Sequence, residues 1–583
     1  MFLKQSRRKK DGRNYMVLAK SLRDPVSKVS RTVTVESLGY EDELKKTYDD
    51  PVAYFKAEAK RRTMEEEQLK KAVQMEINPQ KRLTLDNKNR KNLGFIVLSK
   101  IFHKLKLDEF VQNRQRYKNF KFNALSITKL LVYSRLLFPA SKKKTWENRG
   151  KYFEVYDCSL DDVYRCLSFL IKYKDDLTLY LHQQIQNEYG RETDIVYYDV
   201  TNYYFESEIQ DDIRKNGFGK QRRGKPLVQM GLFMDTEGLP ITYELFPGNI
   251  VDSKTVMPLL GDIMRQYDMG RVIVVADKGV ITGDVINYAL SGKNGYIFSF
   301  SIRGATDEFK SFVLKQEDYN EIEFRPISTE DEQEECVFKV KSRLTPREIH
   351  VTTVTGAKKK RTVHEKQVVY YSRKYAQKAK RDREQAIEKA KKLISSPADF
   401  TKNTAYGAAK YVQNIQYDEK TGEILDDCKH LLYLDEEKIK QEAIFDGYYA
   451  LVTSEYKYSE QKIIDIYRGL WQIEETFRIT KSDLETRPIF HSREDRIRAH
   501  FLTCYLALVI GRLLEKSLGD KYSIAALVES LRNACGSLFE QNWYVFDYLD
   551  QILLDIGNIY DIDFSLKYRR IGDIKKLIAQ TKK

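Results

Sequence analysis

The chain has 583 residues, of which 42% are hydrophobic and 12% aromatic, with 100 Lys and Arg against 85 Asp and Glu for a net charge of +15. That length exceeds one ordinary domain and implies several units at about 150 residues each. Both charge signs are abundant, which excludes a simple polycation and describes a basic globular protein suited to a polyanion, most often nucleic acid. The six cysteines (Cys158, Cys166, Cys336, Cys428, Cys504 and Cys535) are scattered without a CxxC pair, so neither a disulfide framework nor a zinc ribbon is expected, in keeping with a reducing cytoplasm. The opening MFLKQSRRKKDGRNY lacks the apolar core of a signal peptide, and the most apolar run, Phe501–Gly511 between His500 and Arg512, is expected to be too short to span a bilayer. A soluble, cytoplasmic protein with no membrane partner is expected.

Taken in order, residues 15–22 and 29–38 are rich in β-branched residues around the turn-forming RDPVSKVS, which predicts a hairpin. Its flank carries Lys4, Arg7, Arg8, Lys9, Lys10 and Arg13, a basic arm for phosphates or a solvated tail. A mostly polar helix is expected from Pro51 to about Ile77. Residues 94–190 read as a helical block with apolar residues at i, i+3/i+4. Pro139 stops one of its helices, and Lys142–Lys144 beside Trp146 are placed in the following connection, as a DNA-backbone contact or a solvated loop.

At Asp194 the period changes. DIVYYDVTNYYFES alternates as a strand holding Asp199, and the basic loop GKQRRGKP leads into LVQMGLFMD and LPITYELFPG, joined by the turn DTEG into a three-strand meander. Asp252–Ser253 resembles a helix N-cap before KTVMPLLGDIMRQY. RVIVVADKG is a continuous apolar strand ending in Asp277. A short helix and the strand GYIFSFSI follow. Between 303 and 442 no core period is visible, although KKKR at 358–361 and a Lys/Arg-rich helix over 374–392 stand out, and the segment is read as an inserted subdomain. DGYYALVTS restores a strand; a long apolar helix over 495–518 and a helical region over 522–580 complete the chain.

On one continuous helix Tyr467, Glu474 and Lys481, each seven residues apart, share a stripe that drifts by only about 20° per step. Such a stripe is either a solvated face or a carboxylate flanked by groups that grip a nucleic-acid backbone. Asp199 lies inside a strand and Asp277 at the end of another, positions costly for carboxylates without a cation. Adjacent strands would join the two aspartates, and the later helix would bring Glu474 across from them. Hard oxygen ligands of this kind suit Mg²⁺ or Mn²⁺. Two ions about 3.5–4 Å apart, with Asp199 bridging them and Asp277 and Glu474 completing one each, would support in-line phosphoryl transfer. Asp194, Glu206, Asp252 and Asp446 compete for these roles; Asp252 is better explained as a cap and Asp446 as a turn residue. No GxxxxGK[ST] loop is present, so ATP is not implied.

The order YYDVTNYYFE, PGNIVDSKT, VVADKG and then Y-x6-E-x6-K resembles the DDE transposases of bacterial insertion sequences. IEETFRITKSDLETRPIFH and the long N-terminal region ending in ESLGY look like the long-form subgroup. The resemblance implies an α/β RNase H-like catalytic domain interrupted by a β-containing insertion, with an N-terminal hairpin plus helical DNA-binding region and a helical C-terminal region. The expected division is 1–82, hairpin and helix for DNA-end binding; 83–190, helical DNA-binding region; 191–302 and 443–518, the two catalytic parts; 303–442, the insertion; and 519–583, the C-terminal helices. Carried over position by position, the catalytic and metal-holding acids are Asp199, Asp277 and Glu474, the second 78 residues after the first and the third 197 after the second. Two Mg²⁺ or Mn²⁺ ions per active site are implied.

Tyr467 and Lys481 match the family's helix motif, but its arginine position is Leu470, with Arg468 or Arg478 as possible substitutes for DNA contact. Trp471 is read as core packing or as a platform for a displaced base. Lys220, Arg222, Arg223 and Lys225 are read as facing DNA phosphates or solvent. The implied activity is binding of terminal inverted repeats, metal-dependent cleavage and strand transfer into target DNA, by a homodimer in a synaptic complex in the bacterial cytoplasm at the nucleoid. The alternatives are an RNase H-like nuclease that only cleaves, a catalytically inactive transposase-derived DNA-binding protein, and a basic structural protein bound to RNA.

Overall fold

The computed structural model describes residues 1–7, 12–23, 30–48, 50–68, 80, 82, 85, 89–217, 225–324, 337–353, 355–395, 409–417 and 429–582. The chain forms two compact units, Met1–Leu85 and Asp86–Lys583.

In the first unit, strands β1 (Phe2–Arg7), β2 (Asn14–Arg23) and β3 (Ser30–Tyr40) form an antiparallel meander in that order, followed by helices α1 (Glu41–Leu44) and α2 (Pro51–Gln68). The expected hairpin is therefore three strands. The missed β1 is mostly exposed along its length, so FLKQSR carries no apolar alternation to read. Lys4 and Arg7 lie on this strand, and Arg13 is held by Asp42 and Glu43 (2.8 and 2.6 Å). Arg8, Lys9 and Lys10 lie outside the described residues, as does the end of the expected 51–77 helix beyond Gln68.

The second unit opens with β4 (Arg90–Asn92) and the helices α3 (Phe95–Lys104), α4 (Leu107–Gln115), α5 (Ala124–Leu137), α6 (Lys142–Glu147), α7 (Leu160–Leu170) and α8 (Lys174–Tyr189). Asn123 caps α5, and Ser159 with Asp162 forms a capping box on α7. Lys142–Lys144 begin a helix, and Lys142 is buried, so the expected loop is corrected here.

Then come β5 (Ile195–Tyr204), β6 (Leu227–Met234), β7 (Pro240–Pro247), α9 (Val256–Gln266), β8 (Ile273–Ala276), α10 (Gly283–Ser291), β9 (Gly295–Phe300), α11 (Asp307–Leu314), β10 (Asn320–Glu323), β11 (Val337–Thr352), β12 (Lys358–Tyr371), α12 (Arg373–Ser395), β13 (Val412–Tyr417), β14 (Lys429–Leu434), α13 (Glu436–Ala443) and β15 (Tyr448–Thr453). The chain ends with α14 (Glu460–Arg468), α15 (Trp471–Ser482), α16 (Glu494–Ser517), α17 (Ile524–Asn533), β16 (Cys535–Leu538), β17 (Trp543–Phe546), α18 (Gln551–Tyr560), β18 (Tyr568–Arg570) and α19 (Ile571–Gln580).

The main sheet runs β10-β11-β12-β15-β9-β8-β5-β6-β7. β8 pairs in parallel with both β5 and β9, while β5, β6 and β7 form the expected antiparallel meander. Side chains alternate across β5 and so feed two cores. Val196 and Tyr198 pack with Val256, Leu260 and Ile263 of α9 and Val285 of α10. Tyr197 and Tyr203, on the other face, join the core that contains Ile463 of α14, Ile473 and Phe477 of α15, and Phe501 of α16. Helices thus cover both faces of a mixed α/β sheet.

The segment 303–442 contributes β10, β11 and β12 to this sheet, with β12 seated against β15. Much of β11 and the start of β12 is exposed, which hides the strand period in the sequence. The far end of this hairpin ties back to α10: the Thr352 backbone N–H and hydroxyl donate to Asp284 (2.6 and 2.9 Å). The C-terminal region is not wholly helical: β16, β17 and β18 form a second sheet with β4 in the order β18-β17-β16-β4. Helix α16 is longer than the apolar run within it and, by length and composition, could cross a membrane, but 94% of its most apolar window is buried in this protein.

The stretch expected to be one helix is two. The hydroxyl of Tyr197 donates to the Ile466 carbonyl (2.9 Å), taking an acceptor from the α14 end, and the turn tightens to i→i−3 bonds such as Leu470 N–H to Tyr467 O (3.0 Å). A Cβ at Gly469 would collide with the same Tyr197 hydroxyl. Gly469→Ala is expected to destabilise the second unit by about 1–3 kcal/mol through overpacking. Tyr197→Phe alone is expected to cost about 1 kcal/mol, and urea midpoints should show the double variant losing less than the sum of the two.

Candidate active site

Asp199 sits mid-strand on β5, and the β5–β8 register pairs Tyr198 with Ala276, so the next residue of each strand sets Asp199 beside Asp277 at the β8 terminus. Asp199 is half-buried while Asp277 and Glu474 are exposed, and both lie near enough for their charges to act on Asp199. Burial pushes the Asp199 carboxyl up to about 7, and the negative charges of Glu474, Asp277 and Asp252 add to that push; the Val200 backbone N–H acts against it.

Alternate residues of β5 fix the helix that carries Glu474. Besides the Tyr197 bond to Ile466, the Lys481 ammonium donates to the Thr201 hydroxyl, and Tyr203 and Thr480 share a hydroxyl–hydroxyl bond of 2.6 Å. Behind α15, Arg512 of α16 donates to Thr476 Oγ1 (2.8 Å) and Glu475 Oε2 (3.2 Å). Glu474 is therefore carried near Asp199 on a helix held on two sides.

The Tyr467 hydroxyl donates to Asp277 Oδ1 (3.4 Å), and burial followed by the Asp277 charge raises its pKa. Ser299 Oγ donates to the same oxygen (2.5 Å) while accepting the Lys278 backbone N–H (2.8 Å). Lys481 is lowered by burial and by Arg487, with Asp199 pulling the other way. Tyr467, Glu474 and Lys481 thus each act on one of the strand aspartates, although the helix expected to carry all three is broken.

The other expected DNA contacts divide. Arg478 is exposed and pairs loosely with Glu475 (3.5 Å). Trp471 is 40% exposed and so is not core packing. The Arg468 side chain is buried over the rings of Phe324 and Phe338 (5.6 and 5.7 Å) and pairs with Asp465, so it does not substitute for the missing motif arginine. Leu470, at the arginine position, is buried in the core. Lys225 pairs with Glu206 at 2.5 Å, while Lys220, Arg222 and Arg223 lie outside the described residues.

Sequence reasoning missed Ser299, Thr201 and Arg487, and it weighed Asp252 as a competing acid but read it as a cap. Asp252 is not the side-chain cap of α9: it opens a short 3₁₀ turn ahead of that helix, accepts weakly from Gln229 (3.4 Å) and adds its charge to the cluster. Its place in PGNIVDSKT was the available signal. A serine within the otherwise apolar GYIFSFSI was the signal for Ser299.

Among the described residues, no three His, Cys, Asp or Glu side chains converge on a single ion as placed, since Asp277 is turned to Ser299 and Tyr467. The donor chemistry nevertheless fits a hard divalent cation: carboxylate oxygens of three elements whose mutual repulsion, felt at Asp199, a cation relieves.

The raised Asp199 carboxyl fixes a pH dependence. Between 3.8 and about 7 the folded protein keeps a proton that the unfolded chain has released, so stability falls as pH rises through that window and the deficit is complete above it. Asp199→Asn is therefore expected to raise stability by about 0.5–2 kcal/mol at pH 8 in metal-free buffer and to give no gain near pH 4, as read by thermal unfolding.

The family model described as the transposase DDE domain matches residues 190–510, more than half of the chain. Curated proteins give no match. Among solved structures, a piggyBac transposase synaptic complex with hairpin DNA is similar at 8% identity, covering 84% of this chain and 84% of its own, with a TM-score of 0.35. The Mos1 mariner paired-end complex with Mn is similar at 14% identity over 30% of this chain and 63% of its own, with a TM-score of 0.10. Similarities this loose carry no fold correspondence. On the family match across 190–510, which contains Asp199, Asp277 and Glu474, the chain belongs to the DDE transposases.

Proposed function

We propose that the protein is a DNA transposase that binds the terminal inverted repeats of a bacterial insertion sequence, cleaves at their boundaries and transfers the 3′ ends to target DNA. The carrying observation is the gathering of three acids, separated by 78 and 197 residues, such that Asp277 and Glu474 both act by their charge on Asp199. The strand order β7-β6-β5-β8-β9, with β8 and β9 parallel to β5, supports reading the catalytic sheet as RNase H-like, and the 303–442 segment as its insertion.

Asp199, Asp277 and Glu474 would hold two Mg²⁺ or Mn²⁺ ions per site, which supply charge neutralisation and an activated water or 3′-hydroxyl for in-line displacement. Lys481 and Tyr467 flank the acids and position the strand's phosphates, while exposed Trp471 and Arg478 extend the contact along α15. Ser299 orients Asp277 through its hydroxyl. The N-terminal strands and the helical block would grip the element ends, and the C-terminal region would support a dimer in a synaptic complex on nucleoid DNA in the cytoplasm. Burial of Leu470 at the arginine position favours testing cleavage and joining separately.

On labelled duplexes carrying the inverted repeat, cutting and strand transfer are expected with Mg²⁺ or Mn²⁺ and not with EDTA. Asp199→Asn, Asp277→Asn and Glu474→Gln should each lower the rate by at least about 100-fold while duplex binding persists. Cutting without joining would point to a nuclease. Binding without cutting in any metal would mark a DNA-binding protein.

A further inference from the structure

Beyond Lys481 the chain turns back against the helical block and closes a cavity of about 50 Å³, lined by Arg135, Lys142, Glu485, His491 and His500 among others. A single water needs only about 10–15 Å³ by this kind of measure, so the space admits something larger. Lys142 is 3% exposed and Arg135 4%. Arg135 gives its Nη atoms to neutral backbone carbonyls, Nη1 to Leu484 and Glu485 (3.2 and 3.3 Å) and Nη2 to Ala140 (2.9 Å), while its buried Nε has no hydrogen-bond partner among the described residues.

Among the described residues, no carboxylate figures among the charges acting on Lys142. Burial and then Arg135 bring it down to about 7, and only the Cys504 thiol acts in the opposite sense. Glu485 is an exposed residue whose backbone carbonyl serves Arg135. The two imidazoles are held neutral by burial and then by the positive charges: His491 falls to about 4 against Lys142, Arg496 and Arg135, with Asp495 opposing, and His500, bonded through Nε2 to the Thr486 carbonyl (2.9 Å), is lowered further. A buried guanidinium beside a buried amine whose proton is loosened to about 7, with no paired carboxylate among the described residues, is a costly arrangement, and one that a tetrahedral oxyanion of this size completes by drawing the proton back onto Lys142.

We propose that this cavity is an oxyanion pocket that takes a phosphate group, with Lys142 and Arg135 supplying the charge and His491 a neutral N–H donor. The same chemistry is offered by a phosphodiester of bound DNA and by free phosphate. The proposal does not depend on the transposase reading.

The test is thermal unfolding of the full-length protein in sodium phosphate against sodium chloride at matched ionic strength and pH. Wild type is expected to melt about 2 °C or more higher in phosphate. Lys142→Met should lose that rise and, in chloride, melt no lower than wild type, because an unpaired buried charge has gone. A wild type indifferent to phosphate overturns the proposal, as does a response left intact in both Lys142→Met and His491→Leu. Asp199→Asn should keep the full response, so failure of the pocket and failure of the catalytic reading are seen separately. Duplex binding as a function of salt then identifies the source. With a DNA phosphodiester in the pocket, Lys142→Met lowers the salt slope by about 1; with free phosphate the slope is unchanged and only the thermal response disappears.

Discussion

Parallel pairing of β5 with β8 is the constraint on which the rest of the molecule depends. One register, Tyr198 against Ala276, sets two carboxylates side by side in the middle of a nine-stranded sheet. Burial first and the neighbouring negative charges second make Asp199 hold its proton up to about 7. Nothing in the local chemistry favours this arrangement for stability; it persists because β5 has both faces packed into cores and leaves Asp199 no route away from Asp277. The surrounding packing over-determines the acid cluster.

The same strand also places the third acid. Tyr197, Thr201 and Tyr203 point to the Asp199 side, and each makes a polar bond to α14 or α15. Residue alternation on a strand is thereby matched to the turn of a helix, with the kink at Gly469 absorbing the mismatch. Two charge centres flank the segment from Glu474 to His500: the acids around Asp199 at the sheet, and the buried Lys142 and Arg135 against the turn after Lys481. A polyanionic strand neutralised by cations at one place and by side chains at the other is compatible with both.

Legibility followed burial. The β5–β6–β7 meander, β8, β9 and the helices of the 94–190 block could be read because their apolar periods are complete. β1, β11 and the start of β12 could not, since solvent on most of their residues removes the alternation that marks a strand. For the site, residue identity located Asp199, Asp277 and Glu474, but their neighbours were invisible: Asp252 looked like a cap, and Ser299 like strand filler. The break at Gly469 depends on the Tyr197 hydroxyl more than two hundred residues earlier, which no window on a helix contains. Lys142 stood in a run of three lysines, and only tertiary packing separates the buried one from its neighbours.

The pairing of β9 with β15 has a consequence during synthesis. β9 ends at Phe300 and its antiparallel neighbour begins at Tyr448, a gap the ribosome crosses in roughly 7–30 s at about 5–20 residues per second. Throughout that interval the nascent chain carries both aspartates but neither Glu474 nor the strand that covers GYIFSF. An apolar strand with a bare hydrogen-bonding edge is a template for unwanted pairing. The chain thus bears a bare sheet edge while two of the three candidate acids are already in place, and the arrival of β15 closes that edge just before the third carboxylate is delivered.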